Sequence, residues 1–99
     1  MSTEINMARQ AVHDKIESQI NTVQAKLETL KAKAESAEAN AELELIAELL
    51  TKKQAIDQKL NELRQSSEGT YQQAKTDVES RVAELEKSVK AIEAKFTAV

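Results

Sequence analysis

His13 is the one histidine in a chain of 99 residues. As a metal ligand or general base it could act with Glu17, one helical turn on. Either role needs several groups converging on one point, and one His cannot supply that. The sequence therefore reads His13 as a solvated residue flanking Val12. The acidic run Glu35, Glu38, Glu42, Glu44 and Glu48 could attract cations. At helical spacing these carboxylates point to different faces, and there is no Asp/Asn-Gly calcium loop, so a solvated face is expected. With no cysteine there is no thiolate, disulfide or Cys-based metal site. There is also no Gly-rich phosphate loop, nucleophile elbow or zinc pattern. No catalytic residue, metal ligand or cofactor is expected, and the chain reads as a non-enzyme.

Composition points to long helices. There is one Gly, no Pro and no Trp, the only aromatics are Tyr71 and Phe96, and 31% of residues are charged. Ala, Glu, Lys, Leu and Arg at helical spacing are the signature of coiled coils, and so few aromatics argue against a thick globular core. The net charge of −3 is spread over interspersed acids and bases, without the concentrated basic face that nucleic acid requires. The polar start Met1-Ser2-Thr3-Glu4-Ile5-Asn6 lacks a basic segment followed by an apolar one. No signal peptide or transmembrane span is expected, and the cytoplasm is the default compartment.

Two apolar seams run through the sequence. From Ile5, the first continues through Val12, Ile16, Ile20, Val23, Leu27, Leu30, Ala34, Ala37 and Ala41, with strict heptad alternation from Ile20. Ala41, Leu45 and Leu49 then follow at steps of four, a stutter, before Ile56, Leu60 and Leu63. Around the stutter Leu43, Ile46, Ala47 and Leu50 widen the stripe, as suits a helix touching two neighbours. The simplest expectation is one helix from about 3 to 65, roughly 95 Å long. The punctuation Ser66-Ser67-Glu68-Gly69-Thr70 follows, with Gly69 closing the helix in a left-handed conformation and Ser67 or Thr70 capping the next. A second helix from about 71 to 97 carries Tyr71, Ala74, Val78, Val82, Leu85, Val89, Ile92, Phe96 and Val99. The pairs Glu48–Lys52, Asp77–Arg81 and Glu86–Lys90 support both helices, each by a few tenths of a kcal/mol.

The expected fold is a single all-α domain, an antiparallel coiled-coil hairpin completed by a second chain. Folding back at Gly69 sets Val78 near Ile56, Leu85 near Leu49, Val89 near Leu45 and Ile46, and Phe96 near Ala37 and Ala41. Val82 faces Lys52 or Lys53, whose stems could cover it. The shorter helix reaches back only to about Ala37, leaving Val12, Ile16, Ile20, Val23, Leu27 and Leu30 uncovered. Burying one such side chain is worth roughly 1.5–3 kcal/mol, so the exposed row predicts a homodimer with the long helices crossing near Ala34, Ala37 and Ala41. A monomeric three-helix bundle needs a bend near Ala37 to Asn40, but Ala-Glu-Ser-Ala-Glu-Ala-Asn-Ala favours helix. A continuous helix through Gly69 costs only about 1 kcal/mol.

The stretch Ser66-Ser67-Glu68-Gly69-Thr70-Tyr71-Gln72-Gln73-Ala74-Lys75-Thr76-Asp77-Val78-Glu79 resembles a pattern in small Ala/Lys/Glu-rich bacterial coiled-coil proteins. There a long charged helix meets a short Ala-Ser-Gly element, then an aromatic residue, a Lys and a second amphipathic helix. Tyr71 stands where Trp is usual, Lys75 matches, and the Gly is displaced to Gly69. Some such proteins look phasin-like or stress-associated. The resemblance implies a bacterial cytoplasmic origin and supplies no site residues.

The function these features predict is a structural or interaction protein that self-associates and scaffolds or sequesters a partner. The alternative is a peripheral coat on lipid or hydrophobic granules. The amphipathic stretch from Tyr71 to Val99 carries Lys75, Lys87, Lys90 and Lys95 on its polar face, but acids are mixed among them.

Overall fold

A computed structural model describes residues 2–97, with side chains from 7 to 96. The described residues are all-helical, in the order α1 (Ser2–Ser36), α2 (Asn40–Gln65) and α3 (Glu68–Thr97). The expected positions of Ile5 and Val99 lie outside the described side chains. The expected helix from 3 to 65 is broken at Ala37–Ala39. The molecule accordingly measures 54 × 17 × 16 Å, its long axis matching the ~52 Å of a 35-residue α1.

The break is a Schellman turn. Ala39 N–H donates to the Ala34 carbonyl at 2.9 Å and Glu38 N–H to the Glu35 carbonyl at 3.2 Å, the paired bonds that close a helix through one left-handed residue. That residue is Glu38, with φ 55°, the one non-glycine of positive φ among the described residues. An L-residue there costs about 1–2 kcal/mol. The cost is outweighed because the bend lets α2 and α3 cover the seam of α1, where each buried Ile or Leu contributes roughly 1.5–3 kcal/mol.

The three helices run up, down and up. Arg9 near the start of α1 reaches Ser66 at the end of α2 and Tyr71 near the start of α3. Further along, Lys26 lies 3.8 Å from Glu93, Lys59 3.8 Å from Asp77 and Lys95 3.5 Å from Glu42. The last two pairs set α2 and α3 antiparallel. On the outer faces Asp77 and Arg81 pair at 3.1 Å, and Lys53 and Asp57 pair at 2.8 Å.

Ile16, Ile20, Val23, Leu27, Leu30 and Ala34 are buried along α1. Leu49, Ile56, Leu60 and Leu63 are buried along α2, and Val78, Val82, Leu85, Val89 and Ile92 along α3. Val12 and Phe96 are half-buried against this core. Three seam positions after Ile16 differ from expectation. Ala37 and Ala41 are exposed because they belong to the turn and the first turn of α2. Leu45 is 39% exposed and Ile46 is buried in its place, because the break resets the helical phase and the new heptad runs 46, 49, 53, 56, 60, 63. Lys53 thus occupies a seam position. It is half-buried, with its ammonium turned out to Asp57.

The second connection is only Ser66–Ser67. Ser66 is extended, and its hydroxyl donates to the Leu63 carbonyl at 2.8 Å. Ser67 precedes α3 and its carbonyl accepts from the Tyr71 amide at 2.9 Å. Gly69 does not close a helix as expected. It lies inside α3 without a positive φ, and a Cβ there would meet nothing within 4 Å. Gly69→Ala is therefore expected to stabilise the fold by about 0.5–1 kcal/mol, read as a higher midpoint in urea with an unchanged slope.

Candidate functional site

The chemistry-bearing residues gather near the start of α1, and the heptad explains why. Stepping back from Ile20 through Ile16 by four and then three lands on His13, and four more lands on Arg9. His13, not Val12, therefore continues the seam. It is 7% exposed, the one buried polar or charged residue among those described. The expectation of a solvated His13 is corrected on this point. Continuing the four-three alternation past Ile16 would have revealed it; stepping by four to Val12 concealed it.

From within the bundle, the His13 imidazole turns its Nδ1 toward two carboxylates on the same helix. Glu17 Oε2 lies 3.4 Å away and Asp14 Oδ1 3.6 Å away. At about 100° per residue the three side chains fan over a quarter-turn or so of helix. Glu17 and Asp14 are largely exposed, with side chains 54% and 64% accessible, against 9% for His13. Gln10, one turn before Asp14, donates from Nε2 to Asp14 Oδ1 at 2.9 Å and orients that carboxylate. Nδ1 itself is buried without a hydrogen-bond partner. Among the described residues these three form the one group of His, Cys, Asp or Glu side chains whose donor atoms converge, all within 4.8 Å. Sequence reasoning paired His13 with Glu17 but missed Asp14 and Gln10, whose relevance appears only once His13 is turned inward.

Beside this group Arg9 clasps all three helices. Its Nη1 donates to the Ser66 carbonyl at 2.7 Å, and its guanidinium carbon sits 4.2 Å from the centre of the Tyr71 ring. A charged hydrogen bond of about 1.5–3 kcal/mol and a cation–π contact of about 0.5–2 kcal/mol hold this end of the bundle together. Tyr71 serves here as a platform; its hydroxyl is buried without a partner.

The acidic run does not converge. Glu42 pairs with Lys95, while Glu35, Glu38, Glu44 and Glu48 are exposed. Between α2 and α3 an open groove lies over Leu49, Ile56 and Leu85, rimmed by Lys52, Arg81 and Lys87. No family model matches the chain, and comparison with curated proteins and with solved structures finds no significant match.

Proposed function

We propose that this chain is a non-enzymatic interaction protein: a self-contained three-helix bundle that presents its charged faces to a protein partner. The observation carrying this reading is the closure of the apolar seams within one chain. Every residue of the α1 seam from Ile16 to Ala34 that was expected to drive dimerisation is at most 3% exposed. With that row sheltered by α2 and α3, the physical reason for a two-chain rod is withdrawn. The favoured form is a monomer that scaffolds or sequesters its partner through surface charge.

The lipid or granule coat has less support. The apolar face of α3 that would adsorb, from Val78 to Ile92, is turned into the core, so adsorption requires the bundle to open. No helix among the described residues is long and apolar enough to cross a membrane. A bacterial cytoplasmic setting stays a proposal, resting on the likeness at Ser66–Glu79.

Sedimentation equilibrium tests the reading. The expected mass is that of one chain throughout the micromolar range, with co-sedimentation on neutral or anionic vesicles absent at physiological salt. A stable dimer would restore the two-chain rod, and robust vesicle binding would favour the coat.

A further inference from the structure

We propose that His13 Nδ1, Asp14 and Glu17 bind one divalent transition cation of the zinc class. The first ground is the state of the imidazole. Its side chain is more than nine-tenths buried, yet Nδ1 has no hydrogen-bond partner. A buried polar atom left unmatched is costly, and this one is aimed at two carboxylates. The second ground is distance. Separations of 3.4 and 3.6 Å are long for an N–H···O bond, which favours about 2.7–3.2 Å. They match the ~3.3 Å between neighbouring ligands of a tetrahedral ion bound at about 2.0–2.2 Å. A cation between Nδ1 and the two oxygens thus needs no movement of the imidazole. The carboxylates can close on it because both are largely solvated.

The donor set selects the metal. One imidazole nitrogen with two carboxylate oxygens suits zinc and its first-row neighbours better than calcium or magnesium, which favour all-oxygen shells of six or more ligands. Gln10 supplies an outer contact, holding Asp14 Oδ1 through one lone pair while another remains for the ion. Arg9, one turn before His13, is engaged with Ser66 and Tyr71. Three protein ligands leave a fourth position facing solvent, to be filled by water.

The test is calorimetric titration of zinc chloride into the full chain, free of any histidine tag, in a non-chelating buffer. It is paired with nitrogen NMR of the His13 ring. One zinc per chain is expected, with a shift of the Nδ1 resonance. Asp14→Asn and Glu17→Gln should each weaken binding by about tenfold or more while leaving the thermal melt of the metal-free protein near wild type. Because both sites are exposed, these variants keep the test independent of His13→Gln, which risks unfolding the helix end. Failure to bind zinc at millimolar concentration would overturn the proposal. So would binding that neither variant weakens, or that leaves the Nδ1 resonance unmoved, since the ion would then sit on other surface carboxylates.

Discussion

Leu27→Lys is expected to abolish cooperative folding at neutral pH. Leu27 is completely buried, at the middle of α1, where both other helices close over the seam. Removing the leucine alone, as in Leu27→Ala, should cost about 2–5 kcal/mol from lost transfer energy and the cavity left behind. At about 4–8 °C per kcal/mol for a chain of this size, the alanine variant should still fold but melt far earlier. The lysine adds an ammonium group that must either shed its hydration, at several kcal/mol, or pry the helices apart. The total rivals the whole stability of a domain this size, about 5–15 kcal/mol. Far-ultraviolet circular dichroism with temperature reads the result directly. Met7→Lys, at a position 67% exposed, is the control and should change stability by less than about 0.5 kcal/mol. If the Leu27→Lys melt overlaid the wild type, position 27 would not be enclosed and the bundle described above would be wrong.

Glu38 gives a test in which the sign of the effect decides between two architectures. In the bent chain it carries the left-handed conformation of the Schellman turn. Glu38→Gly removes the steric penalty on Cβ and should stabilise by roughly 1 kcal/mol, after the larger conformational freedom of unfolded glycine is counted. In a straight helix from 3 to 65 the same change would cost about 1 kcal/mol. Glu38→Pro should destabilise the bent chain by about 3 kcal/mol or more, because proline cannot adopt φ 55° and lacks the amide that bonds to Glu35. Chemical denaturation of the three proteins supplies the comparison. A glycine variant less stable than wild type would mean that the helix passes unbroken through the alanine-rich middle.

These two positions also show what could be read from the residues and what could not. The seams of α2 and α3 from Leu49 to Leu63 and from Val78 to Ile92 were legible because heptad spacing marks the buried face whatever packs against it. The bend was not legible, because Glu38, which takes the left-handed conformation, has no preference for it, while Asn40, which tolerates it better, opens α2 two residues later. Glycine was present where no left-handed turn was needed, at Gly69, and absent where one was. Local propensity favoured continuity, and tertiary burial overrode it. The expectation of a second chain rests on the unbroken helix, which would leave the front of α1 bare. The cluster at His13 was hidden for a related reason. With Val12 assigned to the seam, the histidine faced water, and its neighbours Asp14 and Gln10 carried no signal.

The clasp made by Arg9 has a further consequence. Nearly uniform aliphatic heptads are degenerate in themselves, and the short connections at Ala37–Ala39 and Ser66–Ser67 leave the helices only small relative shifts. Arg9 adds to that restraint, because its guanidinium finds both the Ser66 carbonyl and the Tyr71 ring in only one alignment. A polar group that fixes a single alignment among near-equivalent ones is a known role of such residues in coiled coils. Without it the short connections would still hold the helices in the same alignment, but this end of the bundle should fray more readily.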